Sequence, residues 1–158
     1  MRFLRDVPYY TQVPVLFLFL YVCVQGSAQS HAEYIGGTET AVVAGRGGSL
    51  DITDDRYFAF YSKLGQVRVP YNRINLLEYG QKVDRRLMMA VIISPAFLLA
   101  KTRKHFLSLG YTDDDGKQQA MVFRVDKGSI RPTLVGLEAR TGMRVQYQDV
   151  EARKAGKG

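Results

Sequence analysis

Over most of the chain, apolar residues alternate with polar ones at a period of two, the spacing of half-buried strands. Over residues 57–61, Phe58 and Phe60 fall on one face and Tyr57, Ala59 and Tyr61 on the other. Over 66–70, Val67 and Val69 share a face with Tyr71, and Leu64-Gly65 supplies the turn, so 57–70 reads as a hairpin. A strand over 49–53 precedes it, with Asp54-Asp55 as the intervening turn. Another is expected over 73–79, with Ile74 and Leu76 on one face, Leu77 and Tyr79 on the other, and Pro70 at its margin. Leu107, Leu109 and Tyr111 alternate inward over 105–112, DDDGK at 113–117 turns the chain, and Met121, Phe123 and Val125 return inward over 118–126. That is a second hairpin.

The period changes once. From Ser129, a capping residue, Ile130, Leu134, Leu137 and Thr141 line one helical face; Pro132 suits a first turn and Gly142 is placed to end the helix. Residues 29–48 (QSHAEYIGGTETAVVAGRGG) are rich in small side chains and read as a flexible lead-in, with a short first strand around 33–35. Residues 143–158 read as a short strand through Val145 and Tyr147, then a frayed charged tail.

Two apolar runs break the alternation. Arg2 and Arg5 precede VPVLFLFLYVCV at 13–24, and Gly26-Ser27-Ala28 follows, the layout of an export signal over 1–28 cleaved after Ala28. As a helix this run reaches only about 18 Å, against a hydrocarbon core of about 30 Å, which favours a cleaved signal over a retained anchor. Val22 is branched where a lipid-modified cysteine would follow a small residue, which argues against lipidation of Cys23.

The second run, LMMAVIISPAFLLA at 87–100, carries no charge and lies between the fifth and sixth expected strands. Its apolar side chains Leu87, Met88, Met89, Val91, Ile92, Ile93, Phe97, Leu98 and Leu99 are the candidate membrane contacts. Arg85, Arg86, Lys101, Arg103 and Lys104 flank it as candidate headgroup ligands. A helix of this length reaches about 21 Å, and Ser94-Pro95 would bend it, so a dip into one leaflet is expected and a crossing is not. Packing into the core or across a dimer interface is the alternative, with Met88 and Met89 as adaptable filler.

With 158 residues the chain has room for one ordinary domain, and 46% apolar content supplies its core. The formal charge of +7 becomes +6 without residues 1–28, with basic and acidic side chains interspersed, unlike the dense stripe of a nucleic-acid binder. Cys23 is the one cysteine, so the rest of the chain forms no internal disulfide or thiolate metal site.

Counted from residue 33, seven short strands followed by one amphipathic helix resemble the pleckstrin-homology superfold. Residues 65–79 (GQVRVPYNRINLLEY) are similar to a stretch of bacterial PH-like and GRAM-like domains at Val69, Pro70, Tyr71, Ile74 and Glu78-Tyr79. IGGT at 35–38, LEYGQK at 77–82, RKH at 103–105 and LEARTG at 137–142 are similar to a family of exported bacterial proteins without an assigned activity. The resemblance covers 49–142. It implies a mainly β fold, a bent antiparallel sandwich closed by one C-terminal helix, with 87–100 as an apolar helical insertion. Phosphoinositide-binding members use basic residues in their first loop, where this chain has only Arg46 among glycines, so that site is not carried over.

Candidate chemistry is sparse. His31 and His105 are the only histidines, and Asp113-Asp114-Asp115-Gly116 lacks the spacing of a calcium loop. Arg68, Arg73 and Arg124 can be drawn as an anion site, or as a solvated strand face. An enzyme would need Asp51, Arg73, Glu78 or Tyr79 gathered in one pocket, which nothing in their spacing requires. The expectation is a non-catalytic binding or scaffolding module without metal or cofactor, exported to the periplasm and attached at the inner-membrane surface. Its partners are the membrane and an unidentified protein, not nucleic acid. The alternative is a soluble periplasmic interaction domain, self-associating or not, with the apolar segment buried.

Overall fold

The computed structural model describes residues 29–82, 92–93 and 104–157. The expected export signal with Cys23 lies outside these residues, as do Arg85, Arg86, Leu87, Met88, Met89, Val91, Phe97, Leu98, Leu99, Lys101 and Arg103.

The fold is mainly β, as its alternation predicts. The strands are β1 (Gln29–Gly37), β2 (Arg46–Asp51), β3 (Tyr57–Ser62), β4 (Gly65–Pro70), β5 (Ile74–Gly80), β6 (Ile92–Ile93), β7 (His105–Thr112), β8 (Gln118–Val125) and β9 (Gln146–Tyr147). The helices are α1 (Lys127–Thr141) and α2 (Val150–Lys157). One open sheet runs β4-β3-β2-β1-β8-β7-β5-β9, with β6 beside β1 off this path. All pairs are antiparallel except β5–β9.

A single 3-10 turn, Tyr71–Arg73, joins β4 to β5, although β4 ends the sheet path and β5 lies next to its other end. Four residue steps span at most about 14 Å, so the sheet has to curl until its two ends approach. The curl gathers one core from every long strand: Tyr34, Leu50, Phe58, Phe60, Val69, Leu77, Leu107, Leu109, Met121 and Phe123 are all buried in it. Phe123 packs against Phe60 at 5.1 Å between ring centres, and against Tyr34 and Phe58 at 5.6 and 5.7 Å. Burying each such ring contributes about 1.5–3 kcal/mol. Helix α1 closes the core with Ile130, Leu134 and Leu137 and ends at Gly142 in the left-handed conformation (φ 70°), as read from the sequence. It begins at Lys127, two residues before the expected Ser129 cap.

Four expectations are corrected. Residues 29–37 are no flexible lead-in with a short strand but a nine-residue strand in the middle of the sheet, between β2 and β8. Ala32 and Tyr34 point into the core, while the Ser30 hydroxyl bonds Thr133 of α1 at 2.7 Å, so small residues here mark close packing. In β5, a register shift between Ile74 and Leu76 puts Ile74 on the core side with Leu77 and Tyr79, where strict alternation paired it with Leu76. The C-terminal tail is helical from Val150: Ala152 and Gly156, four residues apart, form its buried face, and the Asp149 carboxylate accepts the Ala152 N–H at 2.5 Å. Finally, a helix does not run unbroken through 87–100, because Ile92–Ile93 is extended and pairs with Gly36 and Gly37. A pair of β-branched residues favours that conformation.

Candidate functional site

Strand β5 ends at Gly80 and β7 begins at His105, and Gly80 is paired with Phe106. The two feet of the apolar segment therefore stand side by side on adjacent antiparallel strands. Lys82 is exposed at one foot and Lys104 half-buried at the other. Of the candidate membrane contacts, Ile92 and Ile93 form β6; of the candidate headgroup ligands, Lys104 is described, directly before β7.

The feet rest on a packed cluster. The Tyr79 hydroxyl lies 2.5 Å from His105 Nδ1, and Tyr147 meets the Tyr79 ring edge-on at 6.0 Å. Burial, then the nearby Lys127 and Arg131 charges, hold the His105 pKa below its usual value, and burial raises that of Tyr79. The Tyr79 hydroxyl and His105 Nδ1 share one hydrogen bond, whose direction is set by the tautomer of the ring.

On the sheet face turned away from the main core, Ile35, Phe106 and Val122 form a second buried cluster, with the Arg124–Glu33 ion pair beside it. Both described helices pack on the other face. This second cluster escaped the sequence reading because each residue stands at an outward-facing position of its strand.

At the far end of β5 lie two hollows that share Tyr57 and Pro70 as walls. One, of about 360 Å³, includes Glu39, Arg68, Arg73 and Tyr111. There the Tyr111 hydroxyl donates to Glu39 at 2.8 Å, Arg68 stands 5.0 Å above the Tyr57 ring and 3.4 Å from Asp54, and Arg73 pairs with Asp114. Arg68 and Arg73 thus share a cleft as an anion site would need, but each already faces a carboxylate, and Arg124 sits away from them on the outer face with Glu33. The other hollow, of about 440 Å³, includes Asp55, Arg56, Tyr71, Asn72 and Arg140. Arg140 bridges Asp55 and the Thr53 carbonyl. Tyr71 is 5% exposed, and its hydroxyl has no hydrogen-bond partner among the described residues; burial pushes its pKa up to about 12.

Asp51, Arg73, Glu78 and Tyr79 are not all gathered in one place. Arg73 and Tyr79 stand at opposite ends of β5, about 20 Å apart at the usual strand rise. In the acidic turn, Asp113 accepts the backbone N–H groups of Asp115 and Lys117 and the Gln119 amide, which hold its carboxyl below the usual range. Its carboxylate is engaged in building a hairpin turn. Among the described residues no three metal-ligating side chains converge. No family model and no curated protein matches this chain.

Proposed function

We propose that this protein is a non-catalytic binding or scaffolding module of the bacterial envelope, exported to the periplasm and held at the inner-membrane surface by residues 87–100. The observation that carries the reading is the pairing of Gly80 with Phe106. An apolar segment whose feet stand side by side enters and leaves lipid from one side, as a dip into one leaflet requires. Arg85, Arg86, Lys101, Arg103 and Lys104 flank the segment in the sequence, and a cation near an anionic surface adds about 1 kcal/mol. The domain that is held there is of PH-like type, a bent sandwich, a reading supported by the run of strands closed by α1 and by the curl at Tyr71–Arg73.

A second reading is favoured by β6. Ile92–Ile93 pairs with the end of β1, next to the buried Ile35, Val122 and Phe106. In that reading the segment covers the outer face of its own sheet, and the domain is a soluble periplasmic interaction module.

The test is the double substitution Val91→Asp with Leu98→Asp in a full-length, C-terminally tagged chain. The membrane reading expects the protein to move from the membrane to the soluble fraction with its melting temperature unchanged. The covering reading expects that temperature to fall by several degrees. A variant that stays in the membrane fraction and melts like the wild type rules out both. Mass measurement of the N-terminus in the same preparation tests cleavage after Ala28.

A further inference from the structure

We propose that the Gly80 end of the sheet is a docking surface for anionic lipid headgroups, in which Lys127, Arg131 and Lys157 of the two helices join Lys82 and Lys104. The inference rests on the reading of residues 87–100 as a membrane segment and extends its headgroup contacts to parts of the chain far from that segment.

The fold assembles these cations around the Tyr79–His105 pair. Val125 is paired with His105, and α1 begins two residues later at Lys127, beside the foot that carries Lys104. Arg131 follows one turn on, along the same side of the helix. Both charges act on the His105 ring, and that of Arg131 acts on Tyr79 as well. The Arg131 Nε–H donates to the Ala155 carbonyl at 3.0 Å, which fastens the last turn of α2 to the same place. From that turn Lys157 reaches over the Tyr147 ring, its Nζ 5.6 Å from the ring centre, and Tyr147 packs on Tyr79. Lys82, Lys127, Arg131 and Lys157 are exposed.

The Ile74 end of β5 is built the other way. Its cations are matched to carboxylates in the pairs Arg68–Asp54, Arg73–Asp114, Lys117–Asp115 and Arg140–Asp55. No cation of the Gly80 end belongs to these pairs or to Arg124–Glu33. Against the Gly80 set stand Asp126, directly before Lys127, Asp149, whose carboxylate accepts the Ala152 N–H, Glu78 in β5 and Glu151 in α2. Arg144, Arg153 and Lys154 of the C-terminal segment offset them. The two ends lie about 20 Å apart at the usual strand rise, beyond the screening length of about 8 Å at physiological salt, so the acidic end does not cancel the field of the basic one. The cations are spread over β5, β7, α1 and α2 around the feet of an apolar segment. A bilayer offers that arrangement its many phosphates and its apolar phase together.

The experiment is flotation of the full-length chain with phosphatidylcholine vesicles, with and without phosphatidylglycerol. Each cation at an anionic surface is worth about fivefold in partitioning, so Lys127→Gln with Lys157→Gln should weaken binding to the anionic vesicles about 25-fold and leave binding to the neutral ones unchanged. Lys127→Arg with Lys157→Arg should bind as the wild type does. Arg73→Gln with Lys117→Gln removes the same charge from the Ile74 end and should leave binding as it is, and soluble glycerophosphoglycerol should not compete. Equal losses in the two glutamine pairs, an equal loss in the arginine pair, no loss in Lys127→Gln/Lys157→Gln, or competition by glycerophosphoglycerol overturns the proposal. Val91→Asp with Leu98→Asp on the same vesicles separates this surface from the anchor: a loss there alone overturns the docking surface and keeps the anchor, whereas a loss in Lys127→Gln/Lys157→Gln alone supports the surface and removes the anchor. A wild-type chain that binds neither vesicle overturns both.

Discussion

The buried hydroxyl pair Ser30–Thr133 ties the central strand to α1 and makes an asymmetric prediction. The two oxygens lie 2.7 Å apart, with Ser30 6% and Thr133 1% exposed. Thr133 already gives its proton to the Ser129 carbonyl at 2.8 Å, so Ser30 has to be the donor between them. Ser30→Ala removes a donor and leaves Thr133 with its own acceptor, a loss of about 1 kcal/mol. Thr133→Val keeps the shape but strands the Ser30 proton in a buried site, which costs about 2–3 kcal/mol. The double variant strands nothing and should lose only about 1 kcal/mol, less than Thr133→Val alone. Urea denaturation of the four proteins, with equal m-values, measures the cycle. Additive losses, or a Ser30→Ala variant as stable as the wild type, would refute the donor assignment and with it the docking of β1 under α1.

Gly48 pairs with both Ala32 and Ser62, and a β-carbon there would run into the Tyr61 carbonyl oxygen and the Phe60 ring. Gly48→Ala should therefore destabilise by about 1–3 kcal/mol in thermal or urea melts, whereas a position in a flexible lead-in would change by a few tenths. The folded-state pKa of His105 is depressed below 6.5, so between those two values the unfolded chain binds the extra proton. The stability His105 contributes is complete above about pH 6.5 and is lost as pH falls below it. Melting temperature should drop from pH 7 toward pH 5, and His105→Gln should flatten that slope; an unchanged slope would remove the role given to His105.

The strands that alternate cleanly were legible in the sequence, because each hairpin is local and its pattern states which side faces the core. Phe58 with Phe60, and Leu107 with Leu109, are buried as read. Ile74 went to the other face because a single extra residue in β5 inverts the alternation, and nothing in the composition marks a bulge. Strand β1 was hidden for a different reason. Its pairing with β8 joins residues about ninety positions apart, and its small side chains suit a crowded position as well as a loop. The same limit applies to the site. The feet of the apolar segment were legible as charge clusters, but their adjacency follows from the β5–β7 pairing. The hollow beside Tyr71 draws on residues 55–57, 70–72 and 140–141, which only the curl of the sheet brings together.

Membrane attachment through 87–100 is tested most directly by flotation with anionic vesicles, comparing the wild-type chain with Val91→Asp/Leu98→Asp. Both proteins have the same N-terminus, so any difference belongs to the second segment. Each aspartate placed in lipid costs about 3 kcal/mol, so the wild type should float with the vesicles and the variant should stay at the bottom of the gradient. Equal flotation of the two proteins, or none by either, would contradict the attachment.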